Sequence, residues 1–205
     1  MSMRKALAVA LVASAVATIA SVQLYRAGII GSGPALRDAD VGSGTAQVGG
    51  PFTLTDPQGR TVSDSDFRGR LMLVYFGFTH CPDVCPTDLS AIGEAVRELG
   101  PAADGIAPIF ITLDPQRDTP AVMGDYVQLI DPRVIGLTGS PDATDAAAKA
   151  YRVFYRRVER PDAPDDYSVD HSAYTYLMDR GGKFLTVFRH GTEPDAIVAG
   201  IKPHL

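Results

Sequence analysis

An uninterrupted apolar run from Leu71 to Phe76 is the feature that most constrains how this chain can fold. A strand without alternating polar residues is typical of the centre of a sheet that is covered on both faces. Residues 87–99 follow with apolar side chains at helical spacing, and Gly100-Pro101 marks the end of that helix. The run therefore predicts a central strand, followed closely by a helix.

The remaining segments continue to alternate between strand and helix patterns. Hairpins are predicted around the turns Asp56-Pro57-Gln58-Gly59 and Asp179-Arg180-Gly181-Gly182. Further strands are predicted at 106–113, 134–137 and 152–158, helices at 119–130, 141–150 and 193–202, and a polar, acidic loop at 159–170. The buried side of the helix over 119–130 is predicted to comprise Val122, Tyr126, Leu129 and Ile130. This order predicts an α/β fold of the thioredoxin-like kind, with a mixed central sheet flanked by helices.

The N-terminal residues indicate that the domain lies outside the cytoplasm. Arg4 and Lys5 precede an uncharged apolar run over residues 6–24, close to the ~20 residues that a membrane-spanning helix needs. We therefore predict a membrane anchor over residues 1–26, with a cleaved signal peptide as the alternative. The basic end should remain in the cytoplasm, so the chain is expected on the inner membrane with its domain facing the periplasm.

Composition divides the rest of the chain into a linker and one domain. Residues 27–47 are rich in Gly, Ser and Ala and predict a flexible tether. Residues 48–205 are then the folded domain. The formal net charge of −5 offers no basic face, so a nucleic-acid partner is not expected.

The only two cysteines, Cys81 and Cys85, lie where the predicted central strand gives way to the helix. A helix N-terminus carries partial positive charge and free N–H groups, which stabilise a thiolate. A structural disulfide is disfavoured, because closing so small a loop removes little chain entropy. Two functional interpretations remain, redox exchange and metal binding.

Each interpretation makes a demand on the rest of the chain. Thiol–disulfide oxidoreductases normally use C-x-x-C, whereas three residues separate the cysteines here. For a metal site, two thiolates are too few for zinc, which takes four ligands. Monovalent copper is softer and accepts fewer ligands, so two sulfurs and one imidazole would suffice. A copper site would therefore require a histidine from a distant segment.

His171 is the candidate for that imidazole. It ends the predicted acidic loop, and in a thioredoxin-like sheet the loop before the next strand faces the cysteines. Asp170 is the candidate to accept the second imidazole N–H, as carboxylates commonly do, although a solvated loop aspartate explains it equally well. The other histidines have simpler explanations. His80 is a loop residue that tunes the thiol pKa, His190 is a turn residue and His204 is a C-terminal residue.

A second polar segment, residues 114–120, follows the next predicted strand. Its sequence is Asp-Pro-Gln-Arg-Asp-Thr-Pro, and it should reach the same edge of the sheet as the cysteines. Asp114 and Asp118 are positioned to contact a partner or shape the site. Capping of the following helix by Asp118 or Thr119 is the simpler explanation and the one we favour.

Three motifs together resemble the Sco/SenC family of copper-binding proteins, which assemble the CuA centre of cytochrome c oxidase. The most specific is the Tyr-Phe-Gly-Phe-Thr-His-Cys-Pro-Asp-Val-Cys-Pro run over residues 75–86. Residues 114–120 and the Val-Asp-His-Ser run over 169–172 are similar to the second and third motifs, in the same order. The resemblance spans the chain from about Val48 to its C-terminus.

The resemblance implies a thioredoxin-like domain in which Cys81, Cys85 and His171 bind one copper ion, as Cu⁺ or Cu²⁺. The N-terminal hairpin and residues 152–170 would be the family's additions to that fold. The implied partners are the oxidase subunit carrying the CuA site, a copper donor protein and, through the anchor, the membrane. A metallochaperone rather than an enzyme is therefore expected. The alternative is a thiol–disulfide oxidoreductase that keeps the acceptor cysteines reduced, which is disfavoured because Ser172 and Ala173 replace the proline that thioredoxins place there.

Overall fold

A computed structural model describes residues 47–159 and 167–205, together with Gln23. The chain divides into Met1–Thr45 and Ala46–Leu205, and the second unit is described below. Within the described ranges, no helix is both long enough and apolar enough to cross a bilayer. Apart from Gln23 and Gln47, the predicted anchor and the predicted tether lie outside the described residues, so both remain predictions.

The second unit contains nine strands and four α-helices in its described residues. In chain order, the strands are β1 (Thr53–Thr55), β2 (Thr61–Ser63), β3 (Leu71–Gly77), β4 (Ile106–Thr112), β5 (Ile135–Leu137), β6 (Tyr155–Glu159), β7 (Tyr167–His171), β8 (Tyr174–Met178) and β9 (Phe184–Arg189). The helices are α1 (Val84–Glu98), α2 (Pro120–Ile130), α3 (Pro141–Ala150) and α4 (Pro194–Ile201). Short 3₁₀ turns connect several of them.

A five-stranded mixed sheet in the order β5-β4-β3-β8-β9 forms the centre of this unit. β3 pairs parallel with β4 in a register that runs from Leu71 opposite Ile106 to Gly77 opposite Thr112. β3 also pairs antiparallel with β8, which pairs with β9. Every residue of β3 and β4 is buried, because helices cover the sheet on both sides. The predicted thioredoxin-like architecture is therefore confirmed.

Helix α2 begins as predicted but turns a different face to the core. The Thr119 hydroxyl accepts a hydrogen bond from the Val122 N–H at 3.4 Å, and a proline follows the cap. Val122 and Leu129 were predicted to be buried, yet Leu129 is 86% exposed. Met123 and Val127 are buried instead. They pack over Gly136 of β5, where the missing side chain leaves room for the helix.

The predicted acidic loop over 159–170 is wrong at its C-terminal end, where β7 pairs antiparallel with β6. The register places Tyr155 opposite His171 and Glu159 opposite Tyr167. Tyr167 and Val169 alternate as buried residues, a period of two that the polar composition of the segment hides. This pair of strands, called the histidine hairpin below, carries His171 at its end.

Candidate metal centre

The cysteines lie on residues 78–85, the segment between β3 and the first turn of α1, called the cysteine loop below. Helix α1 begins at Val84, three residues before the predicted start at 87, so Cys85 lies in its first turn. Cys85 is fully buried, Cys81 is partly exposed, and both are free thiols. The Cys85 N–H donates to the Cys81 sulfur at 3.4 Å. The loop thus brings the two sulfur side chains together in reduced form.

The end of β3 leaves only enough space for the Cys85 sulfur. A Cβ atom placed on Gly77 would lie 2.7 Å from Cys85 Sγ and 3.1 Å from the Phe110 ring. Real Cβ atoms do not approach neighbours so closely, so glycine is required here by packing. The central strand therefore determines the depth at which the buried thiol sits.

The surroundings of the two cysteines favour the thiolate form at Cys81 and the protonated thiol at Cys85. The hydrogen bond from the Cys85 thiol lowers the pKa of Cys81 to about 3, against the effect of burial, and contacts with His171 and backbone N–H groups act in the same direction. The same contact, reinforced by burial, raises the pKa of Cys85. The pair therefore holds one proton between two sulfurs at neutral pH, and its titration belongs to the pair.

His171 completes the site from the histidine hairpin. Its Nε2 lies 3.6 Å from Cys85 Sγ, and its Nδ1 lies 3.2 Å from the Ser172 carbonyl oxygen. The ring meets the edges of Tyr75 and Phe78 in T-shaped contacts, with centroid separations of 6.3 and 6.1 Å. Because a carbonyl can only accept, Nδ1 carries a hydrogen, and Nε2 is the ring nitrogen beside the Cys85 sulfur.

Asp170 does not contact the imidazole, contrary to the prediction. Its Oδ2 accepts hydrogen bonds from Arg156 at 2.9 and 3.1 Å, across the hairpin from β6. Consecutive strand residues project to opposite faces, so Asp170 points away when His171 points toward the cysteines. The Ser172 carbonyl takes the role that was predicted for the carboxylate.

Asp118 supports the cysteine loop rather than capping α2, and Thr119 alone is the cap. The Asp118 side chain is fully buried. It accepts hydrogen bonds from the Thr79 N–H at 3.0 Å, the Thr79 hydroxyl at 2.5 Å and the Thr112 hydroxyl at 2.6 Å. The sequence already placed residues 114–120 at the same edge of the sheet as the cysteines, which indicated that Asp118 could shape the site. We favoured helix capping instead, and that interpretation of Asp118 was wrong.

Asp114 and Tyr167 join the same sheet edge to the histidine hairpin. The Tyr167 hydroxyl donates to Asp114 Oδ1 at 2.7 Å, and Arg117 donates to the other carboxylate oxygen. The Arg117 and Arg157 guanidinium groups each lie 3.6 Å from the Tyr167 ring centroid. Sequence reasoning missed Tyr167, whose only signal was an aromatic residue in a polar segment.

The remaining histidines lie outside the three-residue set. His80 is partly exposed and its Nδ1 lies 3.1 Å from the Thr79 hydroxyl. His190 lies in the turn after β9, as predicted, and its Nδ1 lies 2.9 Å from Asp88 Oδ1. His204 lies in the C-terminal 3₁₀ turn.

Among the described residues, no group of three or more His, Cys, Asp and Glu side chains is already arranged to hold a metal ion, but the separation of two of the proposed donors suits one soft ion. The 3.6 Å separation between Cys85 Sγ and His171 Nε2 is what two donors about 2.0–2.3 Å from one ion at a near-tetrahedral angle would have. The Cys81 sulfur, beside the Cys85 N–H, offers a third donor that already has thiolate character. The same two sulfurs can also form a disulfide, so the geometry permits metal binding and thiol exchange in alternation.

These features define a class of protein: a thioredoxin-like domain with a thiol pair at its first helix and an imidazole from an inserted hairpin. Sequence comparison makes the assignment specific, since the chain belongs to the SCO1/SenC family, whose profile matches residues 41–205. It is 43% identical to Protein SenC of Rhodobacter capsulatus over 160 residues, 78% of this chain and 72% of that protein. It is 41% identical to a SCO2-like protein of Rickettsia felis over 156 residues, 76% of each chain.

A solved structure agrees with this assignment. The copper-bound structure of Bradyrhizobium japonicum ScoI superposes with a TM-score of 0.71 at 44% identity. The match covers 77% of this chain and 99% of that one. The copper in that structure belongs to ScoI.

Proposed function

We propose that this protein is a membrane-anchored, extracytoplasmic metallochaperone that delivers copper for assembly of the CuA centre of cytochrome c oxidase. Cys81, Cys85 and His171 bind one copper ion. The convergence of two sulfurs and an imidazole from segments far apart in the chain is the observation that carries the proposal. Its partners are a copper donor protein and the oxidase subunit that carries the CuA site.

The chemistry of the site suits cargo that must be released. Thiolates favour monovalent copper, and imidazole also suits divalent copper, so the set can accept either oxidation state. Cys81 is partly exposed and has the lowered pKa of the pair, which makes it the expected first contact for an incoming ion. Cys85 must lose its proton on binding, so loading releases acid. Ligands on two separate segments allow the ion to be passed on one bond at a time.

Native mass spectrometry of the reduced full-length chain tests the binding step. We expect one copper ion per chain, lost when His171→Ala is combined with Cys81→Ser and Cys85→Ser. His204→Ala is the matched control and should retain the ion. Tight copper binding by the triple variant would refute the assignment of these ligands.

Transfer is tested separately from binding. Mixing the copper-loaded chain with a reduced, copper-free oxidase subunit should move copper onto the subunit, measured as a gain of copper mass on the subunit by native mass spectrometry. The His171→Ala chain should transfer little or none. A subunit that acquires copper equally fast from free copper and from the loaded chain would show that this protein is not the donor.

A thiol–disulfide oxidoreductase is the second candidate, favoured by the lowered pKa of Cys81 and its contact with Cys85. An exchange catalyst should have a reduction potential between about −270 and −120 mV. It should also reduce a disulfide substrate without copper and without His171. Catalytic reduction by the copper-free His171→Ala chain, lost in Cys81→Ser, would favour this candidate over the metallochaperone.

A further inference from the structure

The cleft beside Cys81 contains a second imidazole that the three-residue set does not use. This cleft, about 330 Å³ in volume, is lined by Cys81, His171 and His190 among other residues. The His190 backbone N–H donates to the Ala173 carbonyl at 3.1 Å, two residues beyond His171. The turn after β9 therefore lies against the segment that carries the proposed ligand histidine.

His190 is oriented by a buried carboxylate. Its Nδ1 lies 2.9 Å from Asp88 Oδ1, which also accepts the Gly191 N–H at 3.2 Å. Because a carboxylate can only accept, Nδ1 carries a hydrogen, and Nε2 is the ring nitrogen left to bind a metal. Among the described residues, the His190 side chain makes no other hydrogen bond or ion pair, and it is 46% exposed. Nε2 is thus free to bind a ligand from the cleft.

Packing alone does not explain why Asp88 is buried. The residue is 6% exposed on α1, one turn after Cys85, and its Oδ2 has no hydrogen-bond partner among the described residues. A buried carboxylate with an unpaired oxygen destabilises a fold. A carboxylate that accepts the Nδ1 hydrogen of an imidazole is, however, the usual support for a metal-binding histidine, because it fixes the ring and increases its basicity.

We propose that His190 is an auxiliary copper ligand that binds the ion in the cleft as it enters or leaves the Cys81–Cys85–His171 set. The inference rests on the proposed function. On loading, the Nε2 lone pair forms a bond to copper as a bond to the donor breaks, and the Nε2–copper bond breaks as the Cys81–Cys85–His171 set binds the ion; on release, the Nε2–copper bond forms as a bond to that set breaks, and it breaks in turn as the acceptor binds. Copper keeps its oxidation state, and the Nδ1 hydrogen remains between His190 and Asp88. The auxiliary ligand shortens the time that the ion is under-coordinated.

An auxiliary ligand changes rates but not the equilibrium, and this distinguishes it from a resident ligand. Stopped-flow measurements on the reduced full-length chain would record loading with Cu⁺ and removal by a copper chelator. In His190→Gln we expect both rates to fall about tenfold, with the equilibrium affinity unchanged. Tenfold is the lower end of the effect of losing a group that supports metal binding. His204→Gln is the matched control and should leave both rates unchanged.

Two further measurements keep the test decisive. Asp88→Asn retains the size of the side chain but removes its charge, and we expect it to slow both rates in the same direction as His190→Gln. In the parent chain, the ¹⁵N signal of His190 Nε2 should broaden while copper exchanges between the chain and the chelator, because each passing ion is bound there briefly, and an unbroadened signal would overturn the auxiliary role.

The outcomes separate this inference from the proposed function. One copper ion bound with parent-like rates in His190→Gln would overturn the auxiliary role and leave the proposed function standing. A loss of equilibrium affinity in that variant would also overturn it, since His190 would then be a resident ligand. Failure of the parent chain to bind copper in the same titration would remove the proposed function itself.

Discussion

The cysteine loop and the histidine hairpin meet at one site, but they are held in place differently. The loop follows a fully buried strand, and its Thr79 is bound by the fully buried Asp118. In β6 of the hairpin, no residue is fully buried, and its ion pair between Arg156 and Asp170 is exposed to solvent. The sulfur side of the site is therefore part of the core, whereas the imidazole side is attached to it.

This difference suits the copper release that we propose. Core packing holds the two sulfurs together, so they do not need to reorganise between loading and unloading. Elements with few buried contacts open locally at lower free energy than the core. Exchange is therefore expected to begin at His171, with the cysteines retaining the ion until the acceptor binds. Substitutions in the two regions should separate stability from copper release.

The largest effect is expected from Asp118→Ala in the support of the cysteine loop. The change leaves three donors, two on the partly buried Thr79 and one on the buried Thr112, without their acceptor. We expect a loss of about 3 kcal/mol in the free energy of unfolding, measured with urea, and weaker copper binding. Asp125→Ala, an exposed carboxylate on α2, is the control and should change stability little. An equal loss in both variants would mean that the loop is not supported through Asp118.

Gly77→Ala should have the next largest effect, because its new methyl group meets the Cys85 sulfur and the Phe110 ring. Overpacking of this kind costs about 2 kcal/mol, and we expect copper affinity to fall with it. Gly105→Ala is the control, since a Cβ there meets nothing within 4 Å. A Gly77→Ala chain with parent stability and copper affinity would show that the buried sulfur is free to shift. The sulfur side of the site would then not be fixed by core packing.

The two regions also differed in how well they could be predicted. The central strand and the cysteine position follow from an unbroken apolar run and a helical pattern, signals that tertiary packing reinforces. The strand that carries His171 could not be predicted, because two buried residues, Tyr167 and Val169, alternate within a polar segment. Its pairing with β6 depends on contacts far apart in sequence.

The supporting residues were the hardest to assign. Asp118 precedes the helix cap Thr119, and Asp170 precedes His171. These neighbours suggested that Asp118 caps the helix and that Asp170 contacts the imidazole. The structure places both elsewhere, since the direction of a side chain depends on strand pleat and loop geometry. The three proposed ligands are the residues that sequence reasoning named and that the structure brings together.

Tyr167→Phe tests how firmly the histidine hairpin is attached to the core. It removes one hydrogen bond to the buried Asp114 while keeping the ring between Arg117 and Arg157. A loss of about 1 kcal/mol is expected. It should appear as roughly fivefold faster amide exchange in β7, since local opening follows local stability. Tyr174→Phe, whose hydroxyl has no hydrogen-bond partner among the described residues, serves as the control. If β3 amides exchange faster to the same extent, the hairpin opens only with the core.

The smallest effect is expected from Arg156→Ala, which removes the exposed ion pair with Asp170. The two side chains are 66% and 52% exposed, so solvent screens their attraction. We expect a change of no more than about 0.5 kcal/mol in the free energy of unfolding and no change in copper affinity. A double-mutant cycle with Asp170→Ala measures the coupling directly. A coupling energy well above this range, or loss of copper affinity in either single variant, would mean that the ion pair positions His171. The imidazole side would then be held as firmly as the cysteines, and copper release would have to begin elsewhere.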